Sequence, residues 1–342
     1  MANPARMESQ VTPALTPQVV AEVAQSNRAG DLRTRFARFA RILIGYTLGV
    51  ILFGAGVRIT NSGAGCGQHW PTCNGEVLHL PKSLHTVIEL THRLTSGLSV
   101  LAILALLLGA FRLYPRGHVV RASAVFSFVM ILVEALIGMV IVLMRWVVND
   151  ASFGRILALP LHLVSTALLT AALTWCAYFA SVPDAKPSPL PRAARSLLWL
   201  AAIGILLVSA SGAVTALGDT VYPARASGLA ARLQEDQGLN AHLLQRMRGI
   251  HPFLAVGVAA FLAYVAMLMP GYSSSRNVRR ASVFLTVGVV LQVVAGVVNI
   301  WLSAPGPLQI VHLLLANLVW IALIFLAAAL HQGRAHADST SG

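Results

Sequence analysis

The chain consists of long apolar runs separated by short polar segments. Each run is rich in Leu, Val, Ala and Ile, and each is long enough to cross a bilayer, which takes about 20 residues as a helix. Lipid offers no water to the backbone N–H and C=O groups, so such runs must be helices that satisfy their own hydrogen bonds. The pattern predicts an all-α integral membrane protein with eight spans, at Phe39–Ile59, His85–Phe111, Arg121–Met144, Leu157–Phe179, Ser196–Leu217, Ile250–Met269, Ala281–Leu302 and Leu308–Leu330.

Basic residues are concentrated on one side of these spans. The chain has 25 Lys plus Arg against 12 Asp plus Glu, a net charge of +13. Basic residues collect on cytoplasmic loops of membrane proteins, so both termini are predicted to be cytoplasmic. We interpret the charge as topology rather than as a nucleic-acid-binding surface, and expect lipid as the surroundings. The residues on that side are Arg28, Arg33, Arg35, Arg38, Arg41, Arg112, Arg116, Arg121, Lys186, Arg192, Arg195, Arg276, Arg279, Arg280 and Arg334.

Composition excludes a soluble protein. The chain is 56% hydrophobic and only 11% charged, and its mean hydropathy is +0.72. Residues 1–37 are polar, lack the apolar core of a cleavable signal peptide, and are predicted to be a poorly ordered cytoplasmic tail. The other predicted parts are an N-terminal four-helix half at 38–182, a cytoplasmic linker at 183–195, a C-terminal four-helix half at 196–331 and a cytoplasmic tail at 332–342.

The two halves share an internal pattern. Four pairs of identical residues occur in the same order, at separations of 157, 159, 158 and 150 residues: Val57 and Val214, His92 and His251, Gly138 and Gly296, His162 and His312. The last separation is shorter because the loop between runs three and four is longer than the loop between runs seven and eight. Two units with an even number of helices predict a parallel repeat, with pseudo-two-fold symmetry about the membrane normal.

Four of the 11 histidines lie near the starts of even-numbered runs, one in each: His92, His162, His251 and His312. Under the predicted topology all four lie at similar depth, near the outer leaflet. A single intramembrane histidine is usually explained by an interhelical hydrogen bond. Four at matched positions favour a shared chemical purpose.

Paired imidazoles across a four-helix bundle suit an iron porphyrin, because the ring lies between the helices and the two histidines bind the iron axially. The repeat pairs His92 with His162 and His251 with His312, which gives one porphyrin site in each half. Zinc is a poorer match, since neither half supplies the compact third and fourth ligands of a closed site. The chain has no CxxCH motif, so a haem would be held non-covalently.

The halves differ beside the first histidine of each. Glu89 and Arg93 flank His92, whereas Arg248 and Pro252 hold the matching positions of the second half. Glu89 precedes His92 by three residues, so the two side chains share a helix face. A carboxylate there can move protons or steer an oxygenated intermediate. The alternatives are an ion pair with Arg93 or a hydrogen bond that orients the imidazole.

A second intramembrane carboxylate lies in the third run. Glu134 corresponds to Gln292 of the seventh run in the predicted repeat. Its mid-run position makes it a weaker candidate than Glu89, and the sequence assigns it no role.

Two cysteines follow the first run, in the segment "GAGCGQHWPTCNG". Cys66 and Cys73 are seven positions apart, and the outer side of the membrane is oxidising, so a disulfide is expected. Such a disulfide could be a structural staple or a redox-active pair near a porphyrin. Cys176 lies in the fourth run without a partner and is predicted to be a small buried residue.

The segment "GAGVRITNSGAGCGQHWPTCNG", the "ELTHR" stretch and the four histidines together resemble haem A synthase over about residues 38–331. The resemblance implies an eight-helix, two-half membrane enzyme that oxidises the C8 methyl of haem O to a formyl group, giving haem A for terminal oxidases. It implies roles for seven residues: Glu89 as the catalytic carboxylate, His92 and His162 at the substrate haem, His251 and His312 at a resident haem b, and Cys66 with Cys73 in the outer loop.

The resemblance leaves some points open. Arg58 and Arg93 are candidate partners for haem propionates, because guanidinium groups bind carboxylates bidentately. Some relatives have a second cysteine pair between spans five and six, but this chain has no cysteine between Leu217 and Ile250. A haem O synthase and an unidentified electron donor are the expected partners. The competing hypotheses are a dihaem electron carrier and a haem transporter or chaperone.

Overall fold

A computed structural model describes residues 17–76, 80–182, 187–223, 229–238 and 241–333. The predicted tails at 1–16 and 334–342 and the linker residues 183–186 lie outside this range, and with them Lys186 and Arg334. Within it, all regular secondary structure is helical, apart from one isolated β-bridge between Cys73 and Glu76. The helices are α1 Pro17–Ile59, α2 Leu84–Leu113, α3 Val119–Leu143, α4 Phe153–Ala180, α5 Arg192–Val221, α6 Leu229–Gln237, α7 Leu243–Arg248, α8 Ile250–Leu268, α9 Arg276–Trp301 and α10 Gly306–Gly333.

Eight stretches of the described chain are long and apolar enough to cross a membrane. They fall on α1, α2, α3, α4, α5, the combined α7 and α8, α9 and α10. The all-α architecture and the eight predicted spans are therefore confirmed, and the chain is a multi-pass membrane protein. The orientation of its termini and the pseudo-symmetry of its halves stay predictions.

Several helices begin earlier than their apolar runs. The α4 helix starts at Phe153, where the Ser152 side chain accepts a hydrogen bond from the Arg155 N–H. The α9 helix starts at Arg276, where Ser275 accepts from the Asn277 N–H in the same way. Hydroxyl side chains satisfy the free N–H groups of a first turn. The polar first turns thus belong to the helices, although apolar periodicity alone leaves them out.

The largest difference from the sequence prediction is at the start of α1. The helix begins at Pro17 rather than Phe39, so residues 17–37 are helical and not an irregular tail. This segment contains four Ala and three Arg residues, which have high helix propensity. It continues directly into the apolar run, so each added residue gains a backbone hydrogen bond without a new nucleation event.

The sixth span contains a break that the sequence prediction did not include. Helix α7 ends at Arg248 and α8 begins at Ile250. Pro252 lacks an N–H, and its ring clashes with the carbonyl four residues earlier, which belongs to Arg248. The break therefore separates the short α7 from the apolar body of the span and places His251 in the first turn of α8.

Each half has the same set of helix neighbours. In the first half, α1 packs against α2 and α4, and α3 packs against α2 and α4. In the second half, α5 packs against α8 and α10, and α9 packs against α8 and α10. The halves meet where α4 contacts α5 and α10 and where α1 contacts α10. Helices α4 and α10, which carry His162 and His312, therefore lie at the centre of the bundle.

The dense apolar core lies at one end of this bundle. It is formed by the middle of α1, the starts of α3, α5 and α9, and the ends of α2, α4, α8 and α10, with Leu106, Phe179, Leu285 and Leu326 almost fully buried. The four histidines of interest lie near the opposite ends of their helices. We call that opposite end the disulfide end, because residues 60–76 with Cys66 and Cys73 connect helices there.

Candidate functional site

His92 lies on α2 against a glycine of α1. A side-chain Cβ at Gly54 would come within 3.0 Å of His92 Cε1, so only glycine leaves room for the ring at this distance. The Phe53 ring meets the imidazole edge-on, with centroids 5.7 Å apart. His92 Nδ1 is buried and has no hydrogen-bond partner. His92 also lies within electrostatic range of His162 on α4, as the predicted pairing requires.

His162 has a carboxylate partner on α3. Its Nδ1 lies 2.8 Å from Glu134 Oε2, an ion-pair distance, although the contact is off the line of a hydrogen bond. Thr166 donates a hydrogen bond of 2.8 Å to Glu134 Oε2, and the Ser165 hydroxyl donates to Oε1. The structure therefore places Glu134 at the first pair of histidines, which the sequence did not indicate.

The second pair is built in a related way. A Cβ at Gly212 would lie 3.0 Å from His251 Cε1, and a Cβ at Gly296 would lie 3.2 Å from His312 Cε1. The Gln292 amide nitrogen is 3.2 Å from His312 Nε2, and His312 Nδ1 is buried without a partner. His251 and His312 lie within electrostatic range of each other.

Ser211 defines the proton arrangement of His251. Its hydroxyl donates to the Val208 carbonyl at 2.8 Å, so the oxygen can accept the Nδ1–H of His251 at 2.9 Å. A neutral imidazole has one N–H and one lone pair, so this hydrogen bond leaves the lone pair on Nε2.

The donor set fits a haem in each half. Metal-binding histidines use one ring nitrogen for the metal and usually donate from the other to a polar partner. His251 Nδ1 has such a partner in Ser211, and His162 Nδ1 lies at ion-pair distance from Glu134. His92 and His312 each have a buried Nδ1 without a partner, which is costly unless a bound group compensates. No group of three or more His, Cys, Asp or Glu side chains within the described residues could hold a metal ion.

Glu89 joins α2 to the cysteine loop. Its side chain is almost fully buried, and Oε2 accepts the Cys66 N–H at 2.8 Å. Oε1 accepts from Arg93 Nε at 3.1 Å and also from the Arg93 Nη2. The ion pair proposed as an alternative role for Glu89 is therefore present. It coexists with a direct bond to a disulfide residue, one helical turn from His92.

Arg93 extends the same network into the loop. Its Nη1 donates to the His69 and Thr72 carbonyls, at 2.6 and 2.7 Å. The Gln68 amide nitrogen donates a hydrogen bond of 2.5 Å to the Leu143 carbonyl at the end of α3. These hydrogen bonds hold the loop against both α2 and α3, near the first histidine pair.

Close backbone contact fixes the loop further. A Cβ at Gly65 would lie 2.5 Å from the His85 carbonyl carbon and oxygen, so only glycine permits this approach to the start of α2. The Thr86 hydroxyl donates to the Gly65 carbonyl at 2.9 Å. The His85 ring is 3.1 Å from the Ser62 hydroxyl at the same junction. His85 thereby helps to hold the loop.

Cys66 and Cys73 are joined in the structure, with Cα atoms 4.4 Å apart. We expect peptide mapping of untreated membranes under non-reducing conditions to recover the two residues in one linked species. Full alkylation of both thiols without prior reduction would contradict this prediction. Cys176 is buried and unpaired, as predicted.

The second half has a different charge network at the disulfide end. Arg248, at the position matching Glu89, is buried and donates to Asp219 on α5 at 3.1 Å. It also pairs with Asp236 on α6 and donates to the Tyr222 carbonyl at 2.8 Å. In both halves a buried charged side chain therefore joins a segment between spans to a membrane helix. The charge is negative in the first half, at Glu89, and positive in the second half, at Arg248.

Arg58 connects the two halves. Its Nη1 donates to the Ala216 carbonyl on α5 at 2.8 Å and to the Thr220 hydroxyl at 2.5 Å. Its Nη2 donates to Gln309 Oε1 on α10 at 2.8 Å. The guanidinium is thus held by protein acceptors, and propionate contact by Arg58 stays a prediction.

Gly54, Gly212 and Arg155 are not among the residues predicted from the sequence. Gly54 and Gly212 are 158 residues apart, so a search of the repeat for glycines opposite each histidine would have found them. Arg155 is almost fully buried and donates to the Val148 and Asp150 carbonyls at 2.6 and 2.7 Å. Nothing in the periodicity distinguishes it from a residue at the edge of a span.

The fold and the site define the class: a multi-pass helical membrane protein with two pairs of intramembrane histidines. The chain belongs to the COX15-CtaA family of cytochrome oxidase assembly proteins, whose family model matches residues 37–324.

Relatives carry two different names. A protoheme IX farnesyltransferase of Thermus thermophilus is 39% identical over 310 residues, which cover 90% of this chain and 51% of that protein. A heme A synthase of Bacillus mycoides is 37% identical over 105 residues, which cover 30% of this chain and 34% of that protein. A heme A synthase of Bacillus cereus is 36% identical over a region of the same length. The chain therefore spans about half of the Thermus protein and about a third of the Bacillus proteins.

Proposed function

We propose that this chain is a haem A synthase, a membrane oxidoreductase that converts the C8 methyl of haem O to a formyl group. Family membership and the names of the Bacillus relatives support the reaction class. The observation that carries the proposal is the asymmetry between two similar histidine pairs. One pair has a buried carboxylate, Glu89, one turn away, and the other has Arg248 at the matching position.

In this proposal the first half binds the substrate. His92 and His162 would hold the iron of haem O, and the apolar flanks of α1 to α4 would receive the macrocycle. Oxidation of a methyl group to a formyl group adds one oxygen atom, needs an external oxidant that accepts four electrons, and releases protons from carbon. Glu89 is the proposed group that accepts or delivers them, because it shares a helix face with His92. Arg93 and the Cys66 N–H hold the carboxylate in place.

The second half holds a resident haem b through His251 and His312. When bound, haem b supplies one-electron redox chemistry, and the protein tunes it through the groups around the ligands. Ser211 fixes the tautomer of His251. Gly212 leaves room for the His251 ring, and Gly296 leaves room for the His312 ring.

The two candidate propionate partners are already engaged. Arg58 donates to Gln309 and to α5, and Arg93 donates to Glu89 and the loop. A propionate at either residue would share or displace these acceptors. Gln309 is the acceptor best able to rotate away, because it is a side chain rather than a backbone carbonyl.

The predicted location is the cell membrane, with the haem sites toward the outer leaflet. The proposed supplier of substrate is a haem O synthase. Haem O is a farnesylated protohaem, and a Thermus relative is itself named a protoheme IX farnesyltransferase. About half of that protein has no counterpart in this chain. The electron donor is unassigned.

Extraction of the haem bound to purified protein tests the proposal against its competitors. After co-expression with a haem O synthase, the enzyme should contain haem b together with haem O and its oxidised products. A dihaem carrier or a haem chaperone would contain only unmodified haem. Finding protohaem alone in both sites would therefore count against the enzyme hypothesis.

Gly54→Ala tests the assignment of His92. The added Cβ would meet the imidazole at 3.0 Å, so the ring must shift and the first-half haem should be retained about 10–100-fold less tightly, as for other changes beside a metal ligand. Haem content per protein, measured with haem O present, checks this. The control is Gly49→Ala on the same helix, because a Cβ at Gly49 meets nothing within 4 Å. Equal haem loss in both variants would contradict a specific contact.

A further inference from the structure

Glu134 is an intramembrane carboxylate that the proposed reaction does not use. Its side chain is 12% exposed, and its Oε2 lies 2.8 Å from His162 Nδ1. Thr166 and Ser165 on α4 place hydroxyl protons on its two oxygens. Both hydroxyls also lie within hydrogen-bond distance of the His162 carbonyl, at 2.7 and 3.1 Å. These groups form one polar cluster: the Glu134 carboxylate, the Ser165 and Thr166 hydroxyls and the His162 imidazole.

The matching position in the other half carries an amide. Gln292 and Glu134 are 158 residues apart, and the Gln292 amide nitrogen is 3.2 Å from His312 Nε2. The two contacts differ in charge and in the ring nitrogen they involve. Glu134 offers a negative acceptor to Nδ1, whereas Gln292 offers a neutral group to Nε2.

We propose that Glu134 is a positioning residue that makes His162 a stronger iron ligand than the corresponding His312. The negative carboxylate lies 2.8 Å from Nδ1, off the line of a hydrogen bond, and its charge favours the tautomer of His162 with the proton on Nδ1 and the lone pair on Nε2. Its charge raises the basicity of the imidazole, which favours ferric over ferrous iron. The inference rests on the proposed function, because it takes His162 as a ligand of the substrate haem.

The consequence is a built-in difference between the two sites. The pair that includes His162 would hold its haem at a lower reduction potential than the same haem would have with a neutral partner. The pair that includes His312 has a neutral partner and lacks this effect. A low potential at the first site favours the ferric state of the iron bound there.

The test is spectroelectrochemical titration of the purified full-length protein loaded with protohaem as the probe. Loss of one haem in His162→Ala identifies the first-half signal. We expect Glu134→Gln to raise the midpoint of that signal, by about 59 mV for each tenfold loss of ferric over ferrous affinity. Glu134→Asp, which keeps the charge, should restore the midpoint toward the wild-type value. The reverse change, Gln292→Glu, should leave the first-half midpoint unchanged.

The outcomes separate the two levels of the proposal. An unchanged first-half midpoint in Glu134→Gln, with haem retained, overturns the role of Glu134 and leaves the ligand assignment intact. If Glu134→Gln loses the haem, Glu134→Asp decides: a wild-type midpoint supports the inference, and equal loss of haem overturns it by showing that the network only packs α3 on α4. Unchanged haem content in His162→Ala overturns both the inference and the proposed ligand pair.

Discussion

Glu89→Gln is expected to lower conversion of haem O to haem A by about 10²–10⁴-fold, the usual cost of losing a group that transfers protons. Glutamine is nearly isosteric and still accepts a hydrogen bond from the Cys66 N–H, as Glu89 does at 2.8 Å. The substitution therefore removes the negative charge and the proton affinity of the Glu89 side chain, and it preserves the contact between α2 and the cysteine loop. Haem b should stay bound, because Glu89 lies in the other half. Haem extraction and the haem b spectrum of the same preparation measure both effects.

Arg93→Gln distinguishes catalysis from structure in this experiment. Arg93 holds Glu89 and two loop carbonyls, and removing one member of a buried ion pair typically costs about 3–5 kcal/mol. If Glu89 were only the partner of Arg93, the two variants would lose haem A formation to the same extent, together with protein yield and both haems. Normal haem A formation in Glu89→Gln would show that the carboxylate is not catalytic.

His251→Ala is expected to remove the low-spin haem of the second half while the protein still inserts. The remaining histidine, His312, would have to hold the haem alone, and a single imidazole would hold it more weakly than two. His331→Ala is a suitable control, because His331 lies at the opposite end of α10, where its Nδ1 is 2.8 Å from the Ala327 carbonyl. The pyridine haemochrome content of each purified variant is the measurement. Wild-type haem content in His251→Ala, with an unchanged spectrum, would disprove the assignment.

The membrane spans could be predicted from the sequence, because a span depends on the apolar character of its own residues. A run of about 20 apolar residues is sufficient for a membrane helix, whatever it packs against. The boundaries were less accurate, since the first turns of α4 and α9 are polar and depend on Ser152 and Ser275 as caps. The break before α8 could also have been predicted, because Pro252 forbids regular helix at Arg248.

The candidate site could be predicted only in part. The four histidines recur at matching positions of the predicted repeat, and Glu89 lies where the second half has Arg248. These features could be recognised from the sequence alone. The contact between Glu134 and His162 depends on how α3 and α4 face each other, and a single sequence does not specify that rotation. The same holds for the pairing of Arg248 with Asp219 and Asp236, which joins three separate helices.

The most direct test of the account is the haem made by cells that contain haem O but no other source of haem A. Expression of the intact chain in such cells should convert haem O to the C8-formyl product, detected by mass spectrometry of extracted haems. The same cells with Glu89→Gln should keep haem O with little product. Accumulation of haem O alone, with the wild-type protein inserted and carrying haem b, would contradict the proposed reaction.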